Sequence, residues 1–479
     1  MMWAEIVAVI QYIIIIALPW VLGAGIAIGV AVSLRRQPYS PGFAPIVVAI
    51  GGYLGQICVA RSLAIFEYNI FALDPTVFLA GALLISIASV ALLFACLLQT
   101  YKSPPTKAFA FSRIVLCAFI SCYGCFSLAV MVFQTIHVPS VAWDNFHVFH
   151  SSAIDLITLS TAGNGAEFIY ENRHPVTLIL ISVWSAQSAF LISGEGGLGV
   201  GWFLTWLSIG LLLFGYCRRR NVQTHYAILA AIVGVTLPLL ENHAVLAGYS
   251  ELFVTLALLG SVVLISLGLK LNLWMLIALG ILLSATQVTL KNIGVMYASL
   301  PILSLCSITV MRQTRKYRLA WLLVILIVML ILWELSVSVV VLPHEDWPKF
   351  GFDSGQMALY FAGKRLQLFV PSFTEIVENY YFAYFKNASF HIMGTSILLM
   401  SGLFFSKKEG EVPTKFIFIT VIFGLLALTG SQFSEYGFEH AVAGSDTGNS
   451  RFSLPILTLV SLLFVSRFCD LCKEGREQR

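Results

Sequence analysis

Residues 251–311 read ELFVTLALLGSVVLISLGLK (251–270), LNLWMLIALGILLSATQVTLK (271–291) and NIGVMYASLPILSLCSITVM (292–311). Lys270, Lys291 and Arg312 divide this apolar run at intervals of 21 residues. An α-helix of that length rises about 31 Å, which is close to the thickness of the hydrocarbon core of a bilayer. The spacing therefore predicts three consecutive membrane-spanning helices joined by short turns.

The composition of the whole chain indicates the same class of fold. Its 479 residues are 58% hydrophobic and 11% charged, whereas a soluble domain is about 25% charged. We therefore predict an all-α, polytopic membrane protein with about 13 transmembrane helices and further interfacial helices on its outer face. The sequence contains no nucleic-acid-binding motif, so membrane lipids are expected partners and nucleic acid is not.

Basic residues predict the orientation of these helices, because Lys and Arg concentrate in cytoplasmic loops. Placing the basic clusters inside puts the N-terminus outside. The predicted spans are 5–33, 43–65, 77–99, 113–136, 197–216, 226–246, 251–269, 272–289, 293–311, 319–342, 388–405, 414–431 and 452–468. They divide the chain into three N-terminal helices (1–112), a central membrane core (113–342) and a C-terminal part that begins with an outer loop (343–479).

The first large outer loop follows the fourth predicted span. Residues 137–175 are rich in polar side chains, and irregular polar segments avoid lipid because their backbone groups cannot be satisfied there. The next stretch, 176–193, carries Ser182 and Gln187, and a crossing there would put the arginines at 218–220 outside. We therefore predict an interfacial or re-entrant helix at 176–193 and an outer loop over 137–196.

Asp144 is the first candidate catalytic residue in this loop. A carboxylate within hydrogen-bond reach of an acceptor hydroxyl can act as a general base; the alternative is that Asp144 caps the helix that follows it. His147 and His150 come next at helical spacing. They are candidate ligands of a divalent cation, or else polar residues on the water-facing side of that helix.

A second group of polar residues lies in the predicted outer turn 241–251. Glu241, His243, Tyr249 and Glu251 occupy this turn. Two carboxylates beside a Gly-Tyr pair can orient a sugar or an acceptor through hydrogen bonds. The alternative is an ordinary hydrated loop.

Three cations are predicted on the same outer face: Lys291, Arg365 and Arg451. Lys binds phosphate as a compact point charge, and Arg binds it through two parallel hydrogen bonds. All three are therefore candidate ligands of a lipid phosphate, the alternative for Lys291 being a side chain that extends from a helix end to the interface. The glycine-rich run 194–201 lacks the GK[ST] of a nucleotide loop, which argues against ATP or a nucleotide sugar as substrate.

The order of these features resembles that of the GT-C membrane glycosyltransferases, which include oligosaccharyltransferases, protein O-mannosyltransferases and the aminoarabinose transferases of lipid A. The resemblance covers about residues 113–311. It rests on Trp143-Asp144, His174-Pro175, Tyr216-Cys217-Arg218-Arg219-Arg220, Leu237-Pro238, Gly248-Tyr249-Ser250-Glu251 and Lys291-Asn292-Ile293-Gly294. The chain departs from the pattern in having three further spans before 113–136, and Ile293 where many bacterial members carry an acidic residue.

This resemblance implies an inverting transfer of a sugar from a polyprenyl-phosphate donor on the periplasmic side of a bacterial inner membrane. Asp144 and Glu251 would be the catalytic residues, with Asp144 as the general base. The substrate and its lipid phosphate would be bound by Lys291, Arg451, Arg365, Glu241, His243 and Tyr249. The acceptor would be an envelope glycan, a lipid or a surface protein such as a pilin. The resemblance implies no cofactor besides this co-substrate and leaves a divalent cation open.

Two other functional classes match parts of the sequence. O-antigen polymerases and ligases also have many spans, and they carry a large outer loop late in the chain, where 343–387 lies. Transporters and flippases line their pathways with ionisable residues, but Glu334 alone lies well inside a predicted span. The sequence also gives no sign of the paired inverted repeats that many transporters have.

Overall fold

The helices of this protein begin and end close to the ends of its apolar runs. A computed structural model describes residues 17–31, 42–60, 177–192, 200–245, 249–291, 294–311, 350–353, 356–361, 364–367, 371–381, 412–432 and 448–477, with isolated helical positions between 118 and 155. The helices are α1 (Ala17–Ala31), α2 (Phe43–Leu54), α3 (Thr177–Ile192), α4 (Val200–Arg219), α5 (Thr224–Val235), α6 (Pro238–Val245), α7 (Glu251–Leu271), α8 (Trp274–Ala285), α9 (Gly294–Met311), α10 (Phe373–Tyr381), α11 (Val412–Ser431) and α12 (Gly448–Glu477). One turn of π-helix, Gly55–Val59, continues α2, and one turn of 3-10 helix, Thr286–Thr289, continues α8.

These elements belong to two units. The first comprises residues 1–168, 176–256 and 471–479, and the second comprises 169–175 and 257–470. Among the described elements, the first unit holds α1–α6 and the start of α7. The second holds the remainder of α7, α8–α11, a small sheet and most of α12.

Three of the described helices, α4, α7 and α11, are long and apolar enough to cross a membrane. To that extent the prediction of a helical protein with helices of membrane-spanning length is confirmed. The predicted spans 77–99, 319–342 and 388–405, and most of 113–136, lie outside the described residues, so the total of 13 spans stays a prediction.

Helix α4 packs against α2, α5 and α6 in the first unit. The hydroxyls of Thr205 and Ser208 in α4 are satisfied within the helix, because each donates to the carbonyl four residues earlier. Thr205 Oγ1 donates to Gly201 O at 2.8 Å, and Ser208 Oγ donates to Leu204 O at 2.7 Å. The Ser208 hydroxyl also accepts a hydrogen bond of 2.8 Å from Trp20 Nε1 of α1.

Small residues let α1 and α2 approach closely. A Cβ atom on Gly55 would collide with the carbonyl oxygen of Pro19, and one on Gly51 would collide with Ala27 and with the backbone of Gly23. Gly51 and Gly55 stand four residues apart, which is the small-residue spacing typical of helix contacts in membranes. Close backbone packing is therefore the main feature of this helix pair.

The predicted span 226–246 is not one helix but two. Pro238 has no N–H and cannot continue the hydrogen-bond ladder of α5, so α5 ends at Val235 and α6 begins at Pro238. Trp206 Nε1 of α4 donates to the Val235 carbonyl at 2.9 Å. That bond satisfies one carbonyl that the break releases, as a broken helix in an apolar environment requires.

Two predicted features of the first unit are buried in the structure. Residues 177–184 are buried on every side of α3, so this half of α3 packs inside the protein; the interfacial or re-entrant helix at 176–193 stays a prediction. Arg220, of the 218–220 cluster predicted on the cytoplasmic side, is buried, and its Nη1 donates to Tyr216 Oη at 2.9 Å.

In the second unit, α9 packs against α8 and α11. The predicted outer loop 343–387 contains regular structure: the strands β1 (Phe350–Asp353), β2 (Gln356–Phe361) and β3 (Lys364–Gln367) form an antiparallel sheet in that order. Asp353 pairs with Gln356 and Phe361 with Lys364, and the two residues between each pair include a glycine, as short hairpin loops favour. The all-α prediction is amended at this segment.

Candidate functional site

Glu251 is a buried carboxylic acid at the start of α7. Its side chain is 1% exposed, and the neighbouring Ser250, equally buried, donates from Oγ to Glu251 Oε2 at 3.4 Å. Glu251 lies in the first turn of α7, where the partial positive charge of the helix N-terminus favours an anion. The carboxyl group of Glu251 therefore lies at a helix N-terminus with a hydroxyl donor beside it.

His243 comes from the last turn of α6 and is 4% exposed. Its Nδ1 lies 2.8 Å from the carbonyl oxygen of Leu239. A carbonyl only accepts, so Nδ1 carries the proton and, in the neutral imidazole, the lone pair is on Nε2. The local helix geometry thus fixes the tautomer of a buried histidine.

Tyr249 and Trp202 connect these two residues to α4. The rings of His243 and Tyr249 have centroids 5.4 Å apart. Trp202 Nε1 donates to the carbonyl of Tyr249 at 2.9 Å, and the Trp202 ring packs edge to face against Phe253, with centroids 5.3 Å apart. Trp202 therefore holds the turn before α7 in place and covers its first turn with apolar surface.

This group, which we call the α6–α7 cluster (Trp202, His243, Tyr249, Ser250 and Glu251), combines a carboxylate, an imidazole, a phenol and a hydroxyl. Side chains of these types hydrogen-bond to hydroxyl groups and can accept or donate protons. Glu241, two residues before His243 in α6, is half-buried. The cluster therefore combines several kinds of hydrogen-bonding group in one place.

Lys291 lies in a second cluster, in the second unit. It follows the 3-10 turn that ends α8, and its Nζ is 4.9 Å from the centroid of the Phe452 ring. An ammonium group over an aromatic face is attracted by the ring quadrupole. Arg451 is the residue directly before Phe452 at the start of α12. The chain positions of Lys291 and Arg451, both predicted phosphate ligands, therefore lie close together.

The backbone around Lys291 is closely packed. Gly294 N donates to the Lys291 carbonyl at 2.8 Å, and a Cβ atom on Gly294 would collide with the carbonyl oxygen of Gln287. The buried Tyr297 donates from its hydroxyl to the Phe452 carbonyl. These contacts connect the α8–α9 junction to the start of α12 and define what we call the Lys291 cluster (Gln287, Lys291, Gly294, Tyr297 and Phe452).

The remaining predicted site residues are less fully described. Asp144, His147 and His150 lie outside the described residues, and the side chains of Arg365, on β3, and Arg451 also lie outside them. In the part of the chain that is described, no group of three or more His, Cys, Asp or Glu side chains could hold a metal ion. The roles predicted for all of these residues stay predictions.

Sequence reasoning missed Trp202, Ser250 and Phe452. Nothing distinguishes Trp202 from the other nine tryptophans of the chain without knowledge of the carbonyl that it reaches. Ser250 could have been noticed, because a Ser-Glu pair at the start of an apolar helix is a typical helix N-terminus. Phe452 has no signal of its own, since its contact with Lys291 joins segments far apart in sequence.

The chain matches no protein-family model, and no curated protein or solved structure is significantly similar to it.

Proposed function

We propose that this protein is a membrane glycosyltransferase. It would move a sugar from a polyprenyl-phosphate donor to an envelope glycan, a lipid or a surface protein on the outer side of a bacterial inner membrane. The observation that carries the proposal is the burial of Glu251 beside Ser250 at the start of a membrane-length helix. Ionisable residues are rare in such surroundings and mark functional sites.

In the proposed reaction, an acceptor hydroxyl oxygen bonds to the anomeric carbon of the sugar. The bond from that carbon to the phosphate oxygen breaks, and polyprenyl phosphate leaves with the electron pair. The proton of the hydroxyl passes to the carboxylate of Asp144, and the single displacement inverts the anomeric centre. Glu251 and its neighbours in the α6–α7 cluster would hold sugar or acceptor hydroxyls by hydrogen bonds.

The carrier phosphate would bind at the Lys291 cluster. Two observations support this: Lys291 lies over the ring of Phe452, and Phe452 is the residue directly after Arg451. The aromatic ring holds the ammonium group in one position, which reduces the entropy lost when a phosphate binds. Arg451, the residue before Phe452 in α12, would add a second cation.

The proposal is tested with the full-length protein in lipid vesicles, using a purified polyprenyl-phosphate sugar and an extract of envelope acceptors. Glu251→Gln keeps the size of the side chain and removes its charge, and we expect transfer to fall roughly a hundredfold or more. Glu378→Gln, which changes an exposed carboxylate of α10 outside the predicted site, is the control and should keep most of the activity. Full activity of Glu251→Gln would remove Glu251 from the mechanism.

Asp144→Asn tests the general base separately. Transfer should be abolished, while binding of the donor, measured by isothermal titration, should remain near that of the unmodified protein. A fully active Asp144→Asn variant would show that another group takes the proton.

A second candidate function is an O-antigen polymerase or ligase, and the regular structure found at 350–381 favours it, because such enzymes carry a large outer loop late in the chain. The two candidates differ in product. A glycosyltransferase adds one sugar to its acceptor, whereas a polymerase or ligase transfers a whole chain of sugars. Mass spectrometry of the product of one turnover distinguishes them.

A further inference from the structure

One face of α10 packs against the end of α11. Ile376 and Asn379 are buried on this face. Asn379 Nδ2 donates to Gln432 Oε1 at 3.3 Å, and Tyr380 Oη lies 2.7 Å from Thr429 Oγ1. These bonds join α10 to the last turn of a helix that is long and apolar enough to cross a membrane.

A second face of α10 is apolar and exposed. Phe373 is 80% exposed, Val377 is 48% exposed and Tyr381 is 55% exposed. Residues four apart lie on the same side of a helix, so the three side chains form one stripe, which we call the apolar stripe of α10. Aromatic residues such as Phe373 and Tyr381 are common where a protein meets a membrane surface.

The third face of α10 is acidic. Glu375 and Glu378 are both exposed, and at 3.6 residues per turn they project roughly a third of a turn away from both the packed face and the apolar stripe. The packed face, the apolar stripe and the acidic face therefore divide the circumference of α10 into three. A helix that lies in a membrane surface beside a protein has three such faces, because it meets the protein laterally, lipid below and water above.

The exposed side chains of α11 indicate what surrounds the apolar stripe of α10. Phe418, Ile422, Leu425 and Leu426 are all at least 38% exposed. They recur at helical spacing on one side of α11, as is typical of a lipid-facing surface. Thr429, which bonds to Tyr380, continues the same side by one more turn, so α10 is attached where this lipid-facing side ends.

We propose that α10 is a membrane-interface helix whose apolar stripe rests on the acyl chains of the bilayer. The occupant is lipid because the stripe adjoins the lipid-facing side of α11. Burying the three side chains among the acyl chains removes their apolar area from water, and this burial favours the position of α10 at the membrane surface. The acidic face stays in water and disfavours contact with anionic headgroups.

The experiment uses the full-length protein with a genetically encoded fluorescent amino acid at one position at a time, in phosphatidylcholine vesicles. Quenching is compared between ordinary lipid and lipid with brominated acyl chains. Leu426 of α11 gives the positive control, and Glu378, exposed on the acidic face of the same short helix, gives the matched negative control. If α10 were unfolded, probes at all its positions would be quenched to the same extent, so a difference between positions requires a folded helix.

We expect the probe at Val377 to be quenched at least half as strongly as the probe at Leu426. The probe at Glu378 should respond mainly to a water-soluble quencher. The proposal is overturned if the probe at Val377 is quenched by brominated lipid no more than the probe at Glu378. It is also overturned if Val377 is protected from both quenchers, because a protein surface would then be the occupant.

Discussion

At the scale of single residues, the Lys291 cluster depends on a glycine. Gly294 begins α9, and a methyl group there would be driven into the Gln287 carbonyl. Backbone atoms cannot move aside as the end of a flexible side chain can. The position of Lys291 therefore depends on the absence of a side chain three residues later.

Gly294→Ala should lower the free energy of unfolding by about 1–3 kcal/mol, which is typical of overpacking at a closely packed position. Gly430→Ala is the matched control, because a Cβ atom on this helical glycine would have no neighbour within 4 Å. It should be neutral or stabilising by up to about 1 kcal/mol. Thermal unfolding of both variants in detergent measures the difference, and equal midpoints would contradict the close approach.

Lys291→Ala should raise the donor concentration needed for half-maximal transfer roughly ten- to a hundredfold, because a hydrogen bond to a charged group contributes about 1.5–3 kcal/mol. Lys270→Ala is the matched control: Lys270 is exposed in the last turn of α7 and predicted on the cytoplasmic side. If the two variants have the same donor affinity, the phosphate ligand must be sought among Arg451 and Arg365.

At the scale of secondary structure, α10 has its own N-terminal cap. Ser372 Oγ and Ser372 N donate to Glu375 Oε2 at 2.8 Å and 2.7 Å, and Glu375 N donates back to Ser372 Oγ at 3.3 Å. This reciprocal arrangement is a capping box. The two hydrogen bonds from Ser372 lower the pKa of Glu375 below its ordinary value.

The lowered pKa predicts how the stability of α10 depends on pH. A carboxyl group whose pKa is lower in the folded helix stabilises that helix above its unfolded pKa, and the effect is lost as the pH falls through the lowered pKa. Hydrogen-exchange protection of 373–381, corrected for intrinsic rates, should therefore decrease on acidification. Glu375→Gln should remove most of this decrease and Glu378→Gln should keep it; the same profile in both variants would contradict the role of the cap.

At the scale of the whole molecule, the break at Pro238 raises the question of whether α5 and α6 together cross the membrane. Residues 224–245 cover about 33 Å if the two helices continue in one direction. The sequence predicts that this pair crosses, with its start inside and its end outside.

Thr224→Cys and Asn242→Cys test this topology, because both positions are exposed. In a background without other reactive cysteines, a membrane-impermeant thiol reagent should label Asn242→Cys in intact cells. It should label Thr224→Cys only after the membrane is opened. Labelling of both positions from the same side would make α5–α6 a re-entrant pair and would reverse the predicted orientation of every span after it.

The sequence was sufficient to predict most of the helices in the part of the chain that the structure describes. The predicted spans 251–269, 293–311 and 414–431 agree with α7, α9 and α11 to within a few residues. Agreement is close because the length of an apolar run and its flanking charges are local properties. The same local reasoning failed at 226–246, where Pro238 divides an apolar stretch without a change in hydropathy, and at 350–367, where short strands give a weak signal.

The sequence by itself determined that this is a helical chain with membrane-length segments and that Glu251 and Lys291 stand at the ends of such segments. Only the tertiary structure decided that Glu251 is buried next to a turn held by Trp202, and that Lys291 lies over Phe452. The physical reason is that hydropathy and helix ends depend on neighbours in the sequence. Burial and ring contacts depend instead on helices that meet only after the chain has folded.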